Sequence, residues 1–174
     1  MNLSGIIGYP VTPFNDKNGN VDFESLANVI DTLLAAQVNA IAALGSAGEA
    51  AYLTETEWQQ VAEYTVARVN GRVPVVIGIA ELTTAQSISR AKYAHQIGAD
   101  MIMVSPFSYY KLNENEVFSH YESISNASPL PIMIYNNPAT CGVDMSAQFM
   151  LKMVKEIKNT CIIKESTGDI QRMH

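Results

Sequence analysis

The chain is poor in the residues that build metal sites, disulfide frameworks and nucleic-acid surfaces. Its two cysteines, Cys141 and Cys161, are too few for a disulfide framework, and they lack CxxC or His-flanked spacing, so structural zinc has no support and a reducing compartment fits. The three histidines, His95, His120 and His174, show no paired spacing. They are read as surface or boundary residues, and neither a metal nor a Ser/His triad is expected. Eleven basic residues face seventeen acidic ones for a net charge of −6, without any run of Lys or Arg, so nucleic acid is not expected as a partner. No apolar run approaches the ~20 residues that span a bilayer, and Met1-Asn2-Leu3-Ser4-Gly5 has neither the basic flank nor the apolar stretch of a secretory signal. A soluble, cytoplasmic protein without a membrane partner is expected. Also missing is a G-x-G-x-x-G after the first apolar run, which ends in Tyr9-Pro10-Val11-Thr12-Pro13-Phe14. Two prolines are unsuited to cradling a pyrophosphate, so a nicotinamide or flavin enzyme is disfavoured and no cofactor is expected.

What is present is apolar: 48% of 174 residues, enough for one buried core. Short β-prone runs occur at Gly5–Pro10, Asn39–Leu44, Val75–Ile79, Met101–Val104, Ile132–Tyr135 and Cys161–Lys164, with successive starts 34, 36, 26, 31 and 29 residues apart. Each interval has room for one helix and two short loops. From Val21, Phe23, Leu26, Ile30, Leu33 and Leu34 form a helical stripe, with Asp22 and Glu24 at its start where the dipole favours negative charge. Thr54-Glu55-Thr56-Glu57 reads as a capping box opening a helix to about Val69. Helices are also expected over Thr84–Ile97, closed by Gly98, and over Asn113–Asn126 and Ser146–Lys158. The β-prone runs are nearly continuous in apolar residues, as parallel strands covered on both faces should be. Periodicity alone leaves a doubly wound sheet and a closed barrel equally open.

Polar and aromatic residues gather just after these runs, where both architectures carry their active sites. Lys164 ends the last run; partial desolvation there would lower its pKa and make a neutral amine available for attack on a carbonyl, while a strand-end lysine can instead snorkel into water. Tyr135 ends the preceding run, so on neighbouring strands its phenol would stand near Lys164 as a proton shuttle, or else pack as a rim aromatic. In Gly45-Ser46-Ala47-Gly48-Glu49, two glycines flank a serine and make a tight turn whose amides and hydroxyl can hold an anion such as a carboxylate. The same pattern suits an ordinary βα turn in which Glu49 supports the following helix. The eight methionines read as core filler.

Together, GSAGEAAYLTETEW (Gly45–Trp58), YNNPATCG (Tyr135–Gly142) and IIKESTGD (Ile162–Asp169) resemble the dihydrodipicolinate synthase/N-acetylneuraminate lyase family of class I pyruvate-dependent aldolases. The resemblance implies a (β/α)₈ TIM barrel, a homo-oligomer (tetramer or dimer), and a lysine that forms an imine with pyruvate or another 2-keto acid. It makes Lys164 the Schiff-base lysine and Tyr135 the proton-relaying tyrosine, with Ser46 and Ala47 holding the substrate carboxylate. Tyr109, with Tyr110 second, corresponds to a loop tyrosine that reaches a neighbouring active site. Dihydrodipicolinate synthases usually carry an arginine at the substrate-binding position of Thr140 and a threonine at that of Ala47. The absence of both puts lysine biosynthesis in doubt and brings the GSAGE turn closer to members acting on sugar-derived 2-keto-3-deoxy acids.

Such barrels need about 250 residues, whereas residues 1–174 supply about the first six β/α units as a single partial-barrel domain. The expectation is an incomplete barrel whose open edge drives association. Its function is either that of a class I lyase or that of a non-catalytic truncated relative serving as a binding or assembly subunit.

Overall fold

Each apolar run becomes a strand and each amphipathic interval a helix, for largely local reasons. The computed structural model describes residues 3–173, in the order β1 (Ile7–Gly8), α1 (Phe23–Ala35), β2 (Ala40–Ala43), α2 (Glu55–Val69), β3 (Val75–Ile79), α3 (Thr84–Gln96), β4 (Met101–Val104), α4 (Glu114–Ala127), β5 (Ile132–Asn136), α5 (Pro138–Cys141), α6 (Ala147–Glu156) and β6 (Thr160–Glu165). Short 3₁₀ turns cover Ala50–Tyr52 and Ile170–Met173. The long helices start on capping side chains: Asp22 accepts from the Glu24 and Ser25 amides, Thr83 from Gln86 and Ser146 from Phe149, while Thr54 with Glu57 and Asn113 with Glu116 form full capping boxes. Each cap contributes about 1 kcal/mol. Asn70 and Gly98, both at positive φ, turn the chain out of α2 and α3.

All five strand pairings are parallel, and the spatial order β1 to β6 is the chain order. A doubly wound sheet must reverse its order at a switch point, so this order selects the barrel path that periodicity left open. The sheet is strongly curved. Lying flat, six strands would hold β1 and β6 about 24 Å apart, yet Lys164 Nζ on β6 is 5.3 Å from the centroid of the Tyr9 ring just after β1.

Alternate strand residues feed two cores. Ile41, Ala43, Val75, Ile77, Ile79, Ile102, Val104, Ile132 and Ile134 pack outward against the helices together with Trp58, Tyr121 and Phe149. Ala42, Val76, Met101, Met103, Met133 and Tyr135 point the other way, joined by Ile7, Tyr9 and Ile162, and fill the concave side. Among the described residues, Met145, Met150 and Met153 belong to the outer core and Met101, Met103 and Met133 to the inner one, as expected of core filler. The expected strand over Gly5–Pro10 pairs only at Ile7–Gly8. β6 departs from the expected double burial, because Cys161 and Ile163 are exposed on an edge with no further strand beside it among the described residues. No helix among the described residues is long and apolar enough to cross a membrane.

Candidate active site

The site is set by which face each strand residue takes. Tyr135 is paired in register with Lys164, and Asn136 with Glu165. That pairing depends on an irregularity: Ile132 stands opposite Thr160 and Met133 opposite Ile162, leaving Cys161 as an extra residue in β6. Beyond it, Ile162 and Lys164 share the concave side with Met133 and Tyr135. Lys164 Nζ lies 3.5 Å from the Tyr135 ring centroid and donates to Ser166 Oγ at 3.2 Å. The enclosure around the lysine is partial, its side chain being half-buried.

The Tyr135 oxygen accepts from Asn137 Nδ2 at 2.7 Å and lies 3.4 Å from Ser46 Oγ. Burial pushes the Tyr135 phenol up, but hydrogen bonding to Ser46, the neighbouring positive charge of Lys164 and the Asn137 bond outweigh it and set the phenol below its ordinary value. Tyr9 moves the other way, raised by burial and by the neighbouring Tyr135.

Ser46 is held by a tightly constrained turn. Leu44 is buried at φ 60°, a conformation that costs a non-glycine residue about 1–3 kcal/mol unless its surroundings enforce it. Here they do. The Leu44 carbonyl oxygen passes 2.0 Å from where a Cβ on Gly78 would sit, so only glycine fits on β3 at that point. The Gly48 amide donates to Gly45 O and the Glu49 amide to Ser46 O, each at 3.1 Å, and Thr12 Oγ1 donates to Gly48 O at 2.7 Å. The amides of Ser46 and Ala47 have no acceptor among the described residues and remain free for an anion. Glu49 takes a left-handed conformation and makes no side-chain cap to the 3₁₀ turn that follows.

Beside the turn lies a cavity of about 520 Å³ lined by Ser46, Glu49, Tyr52, Phe107, Tyr135 and Thr140 among others. Ser46, Tyr135 and Thr140 are thus brought together, with Lys164 against Tyr135 and Ala47 next in the turn. Tyr109 is not part of this group: it is 84% exposed and packs edge-on against Tyr110, with ring centroids 5.0 Å apart. On the convex side, Asn136 donates to Glu165 Oε2 at 2.9 Å. Burial raises the Glu165 carboxyl, but Asn136, the Thr167 amide and the Arg172 charge hold it below the usual range. A second concavity of about 900 Å³, between α1 and α2 and lined by Asp31, Arg68 and Arg72, carries none of the expected groups. His95 is exposed and His120 half-buried; His174 lies outside the described residues. Sequence reasoning missed Tyr9, whose signal was its place after the first strand, and Asn137, whose side-chain destination is set only by the fold. It also missed Tyr52 and Phe107 on the cavity wall.

Parallel strands in chain order, curled into part of a cylinder with polar groups collected beyond their C-terminal ends, define the (β/α)₈-barrel class. Within that class the chain belongs to the dihydrodipicolinate synthetase family, whose model matches residues 2–174. It is 34% identical to the 4-hydroxy-tetrahydrodipicolinate synthase of Bacillus subtilis strain 168 over 171 residues, covering 98% of this chain and 59% of that protein. Among solved structures, a Pseudomonas aeruginosa protein provisionally termed a dihydrodipicolinate synthetase is 48% identical with a TM-score of 0.97, over 99% of this chain and 59% of the other. YagE from E. coli K12, a prophage protein of the dihydrodipicolinic acid synthase family in complex with pyruvate, is 30% identical with a TM-score of 0.95, over 99% and 58% respectively. The chain therefore spans a little under three-fifths of the length of these relatives.

Proposed function

We propose that the chain carries the imine-forming part of a class I aldolase or lyase acting on pyruvate or a 2-keto-3-deoxy acid. In this reading the neutral Lys164 amine attacks the ketone carbon, the carbonyl oxygen is protonated and leaves as water, and a protonated imine remains. Tyr135, beside the amine, passes protons to and from that oxygen. The imine draws electrons from the adjacent carbon bond, so cleavage leaves a stabilised enamine, and the reverse direction adds that enamine to an aldehyde. The Ser46 hydroxyl with the Ser46 and Ala47 amides holds the substrate carboxylate, and Thr140 lines the space for the remainder. No step in this scheme calls on a cofactor or a metal.

The carrying observation is the Lys164 amine 3.5 Å from the ring of its register partner Tyr135, on the concave side and next to the Ser46 turn. The pyruvate complex of YagE supports the ketone. Thr140 has no guanidinium to clamp a second carboxylate, which favours a sugar-derived 2-keto-3-deoxy acid over the lysine-pathway reaction. Tyr109, exposed on its loop, would serve a neighbouring site in a cytoplasmic homo-oligomer, a tetramer or dimer.

Treating the protein with pyruvate and borohydride, followed by peptide mass mapping, tests the reading. A reduced adduct on Lys164 that is absent from Lys164→Ala is expected. Well-folded protein that forms no adduct refutes it. That result would leave the second reading, a non-catalytic binding or assembly subunit, which the exposed Cys161 and Ile163 on the β6 edge favour.

A further inference from the structure

Asn137 departs from its local role. An asparagine at the N-cap position normally turns its side chain onto the first helical amides, and Asn137 caps α5 without any such bond. Pro138 at the first helical position has no N–H to satisfy, which lowers the need for a cap. The backbone is nonetheless pinned: Asn137 O accepts from the Thr140 and Cys141 amides at 3.0 Å each, from Thr140 Oγ1 at 3.2 Å and from Cys141 Sγ at 3.1 Å. With the residue 9% exposed, the side chain is held in place and its Nδ2 meets the Tyr135 oxygen at 2.7 Å.

We propose that Asn137 is a positioning residue for Tyr135, its amide donating to the phenol oxygen so that the phenolic proton is directed to Ser46 and the cavity. A phenol has one proton to give and two lone pairs to offer. Asn137 engages one lone pair and Lys164 lies against the face of the ring; in the remaining pair, with Ser46 Oγ at 3.4 Å, either oxygen can donate, and we assign the donation to the phenol. The same donor stays in place when the proton leaves and stabilises the phenolate, as a hydrogen bond to the charged form must. Asn137 is one of the groups that lower the Tyr135 phenol, acting after Ser46 and Lys164. The inference deepens the proposed imine chemistry and rests on it only for its catalytic consequence.

The test is a pH titration of the full chain labelled with ¹³Cζ-tyrosine and followed by NMR, without substrate. The Tyr135 resonance is identified by its loss in Tyr135→Phe, and the other seven of the eight tyrosines report whether each variant is folded. Asn137→Leu removes the donor at similar volume, and the Tyr135 midpoint should rise by about one pH unit. An unmoved midpoint overturns the proposal. So does a fall, because it would mean that the phenol donates to the amide. Should Asn137→Leu fail to fold, Asn137→Asp keeps the size and sets a carboxylate against the oxygen; the midpoint should rise further, and an unmoved one overturns the proposal. Because the titration contains no keto acid, a missing borohydride adduct leaves its result standing, and an unmoved midpoint leaves an observed adduct standing.

Discussion

Gly78→Ala probes the contact on which the Ser46 turn depends. The new Cβ would lie 2.0 Å from Leu44 O, 2.6 Å from Leu44 C and 3.0 Å from Gly45 N, all of them backbone atoms. Real Cβ contacts do not close below 3.0 Å, so β3 or the end of β2 must give by roughly 1 Å. Neither can do so freely, since Leu44 is buried in a left-handed conformation and Gly78 O accepts from Trp58 Nε1 at 3.3 Å. The cost belongs at the top of the overpacking range, about 3 kcal/mol. For a chain of this size that lowers the melting temperature by roughly 6–12 °C. A shift of the Ser46 turn by ~1 Å should also slow adduct formation by about 100-fold. Urea unfolding followed by tryptophan fluorescence measures the first effect, because Trp58 is the only tryptophan and is bonded to Gly78. Gly19→Ala is the control: it has positive φ and nothing within 4 Å, so only backbone strain of about 1 kcal/mol is expected. If Gly78→Ala unfolds no earlier than Gly19→Ala, the steric reasoning is wrong.

Two further outcomes test the surrounding scaffold. Arg90 is almost fully buried, pairs with Glu81 at 2.5 Å and Glu55 at 2.9 Å, and lies 4.5 Å over the Trp58 ring. Arg90→Lys cannot reproduce that fork and stack and should cost about 2 kcal/mol in chemical denaturation; unchanged stability would refute the cluster's role. His120 has Nδ1 2.9 Å from Thr84 Oγ1 and a buried Nε2 without a partner among the described residues, and burial lowers its pKa. Its folded form resists protonation, so stability is full above the unfolded value of about 6.5 and is lost as pH falls through the lower folded value. His120→Gln should therefore show a smaller drop in melting temperature on acidification, and an identical drop would count against that assignment.

The fold was largely legible because its determinants are local. Asp22, Thr54 with Glu57, and Gly98 mark helix ends by short-range hydrogen bonding and backbone freedom, and the apolar runs mark buried strands. Periodicity did not give strand order, since the choice between barrel and doubly wound sheet lies in long-range pairing; the barrel came from the resemblance carried by Gly45–Trp58, Tyr135–Gly142 and Ile162–Asp169, and the observed order agrees with it. The weak spots are instructive. Gly5–Pro10 carries strand-like residues, but only Ile7–Gly8 finds register with β2. Cys161 and Ile163 look like core residues and stand exposed, because burial depends on what lies beside an edge. The short α5 could have been read from Asn137-Pro138, a cap followed by proline at the first helical position. In the site, the residue types of Lys164, Tyr135 and Ser46 were readable, whereas the Asn137 bond and the Gly78 contact depend on atoms that only folding brings together.

The surplus residue in β6 aims the amine. Were β5 and β6 to pair one for one beyond Ile132 and Thr160, Ile163 would stand opposite Tyr135 and the lysine would point out toward the helices. The direction of the Lys164 side chain is therefore set by a count of residues along β6. Losing one residue from that stretch would invert the strand beyond it and carry Lys164 to the convex side without changing a single side chain.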